Sequence, residues 1–418
     1  MRFAPVRLCV AAMPLVLVCL VGCGGGSGKP GTGGSGGNPG GGGSGNAAGG
    51  AGGGDSNDAA PAFSRAELLA AFGTCAAERV RDFRGRAMAL DAAVSAYMAT
   101  PDDTTRAAAR QAYRDAMDSW QVVDIMQFGP TGPATIVGGK DFRSNIYGWP
   151  SVNRCGIEEA IVARSYEAAN FEGVLLPNVR GLYAAEYLLF YEGADTECGP
   201  SSPAHAAWPM LIAEDREARK RAYLAIVVAN VLARADALDQ AWDPAQMNFV
   251  QTMRAAGPGN AVYQTPQVAI ETVGLALFYV DQKVKDLKLT LPIDAACTTA
   301  LCLESRYAGR SKANIRANLD GVRRIMEGCG ADYAGLGFDD LLADVGATAL
   351  ADTLRTQAIA TQAALEAIDE PDLDQSLVAD KASVVALRDA IAAITTTIKT
   401  QFFQTLNFEP SIIPTDND

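Results

Sequence analysis

From Ser64 to Phe403 the apolar residues of this chain recur at intervals of three and four, and no stretch sustains an alternation of apolar with polar. A helix repeats every 3.6 residues and a strand every two, so this pattern demands helices laid side by side rather than a half-buried sheet. Tyr113, Met117, Trp120 and Val123 or Asp124 form one such series. Ala, Leu, Arg and Glu fill the tracts, the residues that lose least on entering a helix. The expected fold class is all-α.

Punctuation divides the tracts. Ser64 and Glu67 have the spacing of a capping box, with Leu68, Leu69 and Phe72 following on one face, so a helix begins there. Further helices are expected over about 81–98, from Asp102 or Asp103 to about 128, and over 156–169, 178–190, 211–242, 267–287, 311–327, 338–368 and 372–403. In the 211–242 tract, Arg216, Lys220 and Arg221 beside Glu214, Asp215 and Glu217 read as a solvated face. Residues 129–155 are Gly- and aromatic-rich and form a long irregular connection, a kind that tends to be functional or disordered. The strongest break in the body is Ala255-Ala256-Gly257-Pro258-Gly259-Asn260, placed as the boundary between a first half, 62–256, and a second, 257–418.

The first 22 residues have the form of a bacterial export signal, with Arg2 and Arg7 ahead of an apolar core that is too short to remain as a membrane span. That core ends in Leu20-Val21-Gly22-Cys23, similar to a lipobox, which makes Cys23 the expected lipidated N-terminus of an anchored protein. Residues 23–61 are almost all Gly with Ser, Asn, Pro and Ala and read as a flexible tether. Gly24 leaves out the aspartate that retains lipoproteins at the inner membrane, so the expected location is the cell envelope, at the outer membrane. The membrane is the expected partner, through the lipid alone.

A formal charge of −13 argues against nucleic acid, which needs clustered Lys and Arg to neutralise phosphate. Outside the signal and the anchor stand Cys75, Cys155, Cys198, Cys297, Cys302 and Cys329, an even number in an oxidising compartment. Three disulfides are expected: Cys155 with Cys198, bracketing the 178–190 helix, and a local bridge within Cys297, Cys302 and Cys329. A thiolate metal site has no paired Cys-x-x-Cys to support it.

The segment Gly181-Leu182-Tyr183-Ala184-Ala185-Glu186-Tyr187-Leu188-Leu189-Phe190 carries the chemistry. Tyr183 and Glu186 are three apart and share a face of an otherwise apolar helix, where a carboxylate must be paired, protonated or bound to a cation. Arg180 reaches it only by folding over. His205, the one histidine, falls in a loop or first turn of Ser201 to Pro209. The segment resembles the Gly-x-His-x-x-Glu motif of the imelysin family, also called peptidase family M75. Other pieces resemble that family in order: Trp120 with Phe128-Gly129-Pro130, Tyr147-Gly148-Trp149-Pro150, Glu304-Ser305-Arg306-Tyr307, Asn318-Leu319-Asp320-Gly321, and Asn407-Phe408 with Asp416-Asn417-Asp418.

The resemblance implies an exported, often lipid-anchored protein of two helical-bundle halves with the motif at a cleft between them, associated with iron uptake and in some members with peptidase activity. It places Glu304 on the second half's side of that cleft. Here Tyr183 stands where the family has histidine. A phenol must lose a proton of pKa about 10 before it coordinates well, which suits ferric iron and disfavours a zinc hydrolase. Three readings follow. A metal ion, iron first, or a small ligand is held by Tyr183, Glu186 and Glu304, with Glu158 or Glu159 completing the set. The chain is an M75-type metallopeptidase. Or it is a non-catalytic envelope scaffold that has lost the metal site.

Overall fold

Helix α1, Arg65–Ala99, starts where Ser64 accepts the amide of Glu67, as its sequence spacing predicts. The reciprocal half of the box is not made, because the Glu67 carboxylate instead receives Arg254 at 2.5 Å. These features belong to a computed structural model describing residues 63–151, 153–294 and 302–409. The export signal, Cys23 and the tether, Cys297, and the Asp416–Asp418 tail lie outside the described residues.

The described residues are helical, without strands, as the periodicity predicts. α1 runs unbroken through 35 residues and so joins two tracts read separately in the sequence. Gly73 is not a break within it: a Cβ there would stand 3.2 Å from the Val250 Cα, so the glycine admits a neighbouring helix. Asp102 and Thr105 form a true capping box at the start of α2, Asp103–Ile125. The 129–153 connection holds the short α3, Phe142–Ile146, and a cis Trp149–Pro150 peptide. Then follow α4, Arg154–Ala163, α5, Phe171–Val174, α6, Gly181–Phe190, and α7, Pro203–Ala207.

α8, Ala213–Trp242, packs with α1 and α6, and α9, Phe249–Arg254, lies against α1 at Gly73. Its Lys220 is not on a solvated face. It continues the buried stripe of Tyr223, Leu224, Val227 and Val231, with its ammonium turned to the Tyr191 carbonyl and, at 3.0 Å, to Glu217. The 267–287 tract stops as α10, Pro266–Leu275, and resumes as a π-helix, Val280–Thr290, followed by the single turn α11, Leu291–Ile293. α12, Ser311–Met326, packs on α2 across the sequence midpoint.

The last two tracts are each divided. α13, Phe338–Asp344, and α14, Thr348–Glu366, are separated at Gly346, whose φ of 81° no right-handed helix can hold. α15, Leu373–Ala379, and α16, Lys381–Thr397, are separated at Asp380, which turns to cap the second; a short π segment and α17, Phe403–Thr405, follow. Apolar spacing survives such breaks, which is why the sequence reads each pair as one helix.

Cys155 pairs with Cys198 as expected. Cys329 does not belong to a local bridge: it joins Cys75, 254 residues away, tying α1 to the loop after α12. Cys302 is also in a disulfide. The correction is topological, since helix packing brings chain ends together that sequence distance keeps apart. Among the described residues no helix is long and apolar enough to cross a membrane.

Candidate functional site

Gly181 opens α6 with φ 76°, and a Cβ on it would stand 2.8 Å from the Ile146 carbonyl oxygen. Only glycine fits a left-handed position pressed this closely on another backbone. The result is that α6 docks directly against the 146–147 peptide, with the Tyr183 amide donating to the Tyr147 carbonyl at 3.2 Å. Nine of the ten residues of α6 are buried.

Glu186 is wholly enclosed. Its Oε1 accepts the backbone amides of Tyr307 and Ala308 at 2.9 and 3.1 Å, and its Oε2 accepts the Tyr113 hydroxyl at 3.1 Å. Every donor is neutral. Burial therefore raises the Glu186 pKa to about 7, against the opposing pull of those amides and of the Ser305 and Tyr113 hydroxyls. The same enclosure pushes the Tyr113 phenol well up, first by burial and then by the neighbouring Glu186 charge.

Glu304 lies in the segment whose Tyr307 and Ala308 amides hold Glu186, but it has a separate set of partners. Its Oε1 takes the Lys288 ammonium at 2.9 Å, the Tyr147 hydroxyl at 2.5 Å and the Gln121 amide at 3.1 Å; its Oε2 takes Asn314 at 3.0 Å. Lys288 also reaches Gln121 at 2.8 Å and Asn318 at 2.6 Å. α2, the Tyr147 turn, the π-helix and α12 each supply one part of this network. Burial lowers the Lys288 pKa, and Glu304 works against that fall.

Tyr183 is buried, its ring edge-on to Tyr307 at 6.4 Å between centroids. Its hydroxyl makes no hydrogen bond among the described residues. Burial first, and then the Glu186 charge, hold its pKa far above the usual phenol value. Arg180 does not fold over toward Glu186; it donates to Asn145 at 2.7 Å.

The remaining candidates lie elsewhere. Glu158 is satisfied by Arg154 at 2.7 Å, Tyr187 at 3.0 Å, Thr196 at 2.5 Å and the Glu197 amide at 3.1 Å. It completes no set with Glu186. Glu159 is exposed and accepts Ser202 at 2.6 Å. Cys155, Glu159 and Cys198 cluster closely, but both sulfurs are spent in a disulfide and offer no thiolate. His205 is exposed in the first turns of α7 and bonds the Cys198 carbonyl at 2.7 Å.

A resident metal does not fit the residues present. The Glu186 and Glu304 oxygens are occupied by seven donors, two of them main-chain amides that would be stranded if a cation displaced them. A buried ammonium already neutralises Glu304. The Tyr183 phenol is held further from ionisation than a free one. Sequence reasoning missed Lys288 and Gln121, which carry no local signal, and took Tyr113 only for part of the α2 stripe; Tyr147 and Asn318 lay within noted motifs without an assigned role.

The sequence profile described as imelysin matches residues 76–401. Iron-regulated protein A of Synechococcus elongatus is 25% identical over 316 residues, covering 75% of this chain and 78% of its own. Among solved structures, an iron-regulated protein A precursor from Parabacteroides distasonis superposes with a TM-score of 0.64 at 19% identity, over 84% of this chain and 97% of the other. An imelysin-like protein from Psychrobacter arcticum gives a TM-score of 0.58 at 18% identity, over 83% and 98%. These two likenesses establish the fold.

Proposed function

Since the chain belongs to the imelysin family, peptidase family M75, we propose that it is a non-hydrolytic, lipid-anchored protein of the bacterial cell envelope serving the response to iron supply. In this reading the motif is a proton-holding joint between α6 and the 304–308 segment. The observation that carries it is the full burial of Glu186 among neutral donors alone, the Tyr307 and Ala308 amides and the Tyr113 hydroxyl. The iron link rests on the name of the Synechococcus relative; the anchor rests on Cys23 and the Gly-rich tether behind it. Peptidase chemistry lacks the motif histidine, replaced by Tyr183, and a second histidine near it.

Equilibrium dialysis with Fe(III), Zn(II) and Ca(II) tests the joint. The expected result is no stoichiometric metal at the motif, with wild type and Glu186→Ala alike. In the native host, chelating iron from the medium is expected to raise the protein's level, and globomycin to block its processing at Cys23.

One observation favours a second reading. Among the described residues Glu186 has no cationic partner and the Tyr183 hydroxyl no hydrogen bond, so a strongly Lewis-acidic ion such as Fe(III) would gain both a carboxylate and a phenolate if Lys288 released Glu304. One equivalent of ferric iron with a visible tyrosinate charge-transfer band, lost in Tyr183→Phe and in Glu186→Ala, would establish it in place of the first.

A further inference from the structure

Away from the Glu186 and Glu304 networks lies a cavity of about 380 Å³, between the 127–144 connection and the end of α10. That volume falls within the range of small-molecule sites. Pro133 and Ile136 form one wall; Leu275 and Phe278 form the other. Arg143 and Tyr279 supply the polar end, and Lys283 stands on the first turn of the π-helix. Stretches of π-helix are rare and concentrate at functional sites.

The charges here are unevenly matched. Arg143 is neutralised: it meets Asp124 at 2.8 Å, the Trp149 carbonyl at 2.8 Å and the Tyr279 hydroxyl at 3.0 Å, while Tyr279 in turn donates to Asp124. Asp141, at the cavity's edge, accepts Ser144 at 3.0 Å. Lys283 is half-buried and forms no ion pair among the described residues. Burial and the nearby Arg143 both weaken its hold on the proton, and Asp124 only partly restores it. An ammonium so placed gains from an incoming anion, and the walls can enclose an apolar body.

We propose that this cavity binds a small organic monocarboxylate, its apolar body between Ile136 and Phe278 and its carboxylate paired with the Lys283 ammonium. Asp141 at the edge selects against a second negative charge on the ligand. The assignment is independent of the metal question at Glu186 and Glu304.

Isothermal titration of the mature protein with hydrocinnamate, and with its neutral amide, tests this. The acid is expected to bind about ten-fold more tightly than the amide, the factor that one modest ion pair of about 1.4 kcal/mol gives. Lys283→Met is expected to remove that preference, and Lys283→Arg to keep it, with unchanged melting temperatures. Equal affinity for acid and amide in wild type, a preference that survives Lys283→Met, or no heat from hydrocinnamate at millimolar concentration overturns the proposal. The first and last of these use wild type alone, so they hold even if a variant misfolds.

Discussion

Lys288 and Glu304 lie 2.9 Å apart with neither side chain exposed, and each is tied to Gln121 as well. The pair joins the π-helix to the segment that carries the Glu186 amide donors, and Gln121 ties both to α2.

Lys288→Met should therefore destabilise the protein by about 3–5 kcal/mol, because it leaves Glu304 as a buried charge without a partner. Lys288→Met with Glu304→Leu should cost less than Lys288→Met alone. Urea denaturation of the three proteins measures both; a double variant weaker than the single would contradict the assignment.

Glu186 makes stability depend on pH in a defined direction. Its pKa rises from 4.5 to about 7 on folding, so the folded state holds a proton that the unfolded chain has given up across that window. The contribution is complete below about pH 4.5 and is lost as pH rises through 7, a change on the order of 3 kcal/mol. Glu186→Gln keeps the amide acceptor and lets the Tyr113 hydroxyl reverse, and should flatten the stability slope between pH 5 and 8. A slope unchanged in that variant would assign it to another group.

Gly181→Ala should cost roughly 2 kcal/mol or more, since the residue is left-handed and its new Cβ would press on the Ile146 carbonyl. Gly85→Ala is the matched control. That position is inside α1 with open space around it, and the change should stabilise by up to about 1 kcal/mol. Thermal melts of the two variants should move in opposite directions.

Removing the Cys75–Cys329 bridge should cost more than removing Cys155–Cys198, because it frees a loop of 254 residues rather than 43. Chain entropy sets the difference at roughly 1.5 kcal/mol. Guanidinium midpoints of the paired Cys→Ala variants give the comparison, and non-reducing peptide mapping gives the pairing itself.

Tyr183→Phe should leave stability within about 0.5 kcal/mol of wild type, since the hydroxyl it removes has no hydrogen bond among the described residues. A large loss, seen by calorimetry, would point to a partner for that hydroxyl and revive the ligand reading.

The residues alone determined the helical class and most helix starts, and pointed to the Cys155–Cys198 bridge and to Tyr183 and Glu186 sharing one face of α6. Those are local properties: period, caps, short-range spacing and a motif along one helix. What they could not reach was decided by packing between distant segments. Lys220 looks solvated in a run of charges until α8 turns that face inward, and Cys329 looks local until α12 delivers it to Cys75. Tyr183 and Glu186 on one face imply a ligand only while the opposite wall is unknown. The fold fills that wall with Tyr113, the 307–308 amides and the Lys288-bound Glu304, because a buried carboxylate takes whatever donors tertiary structure places within reach.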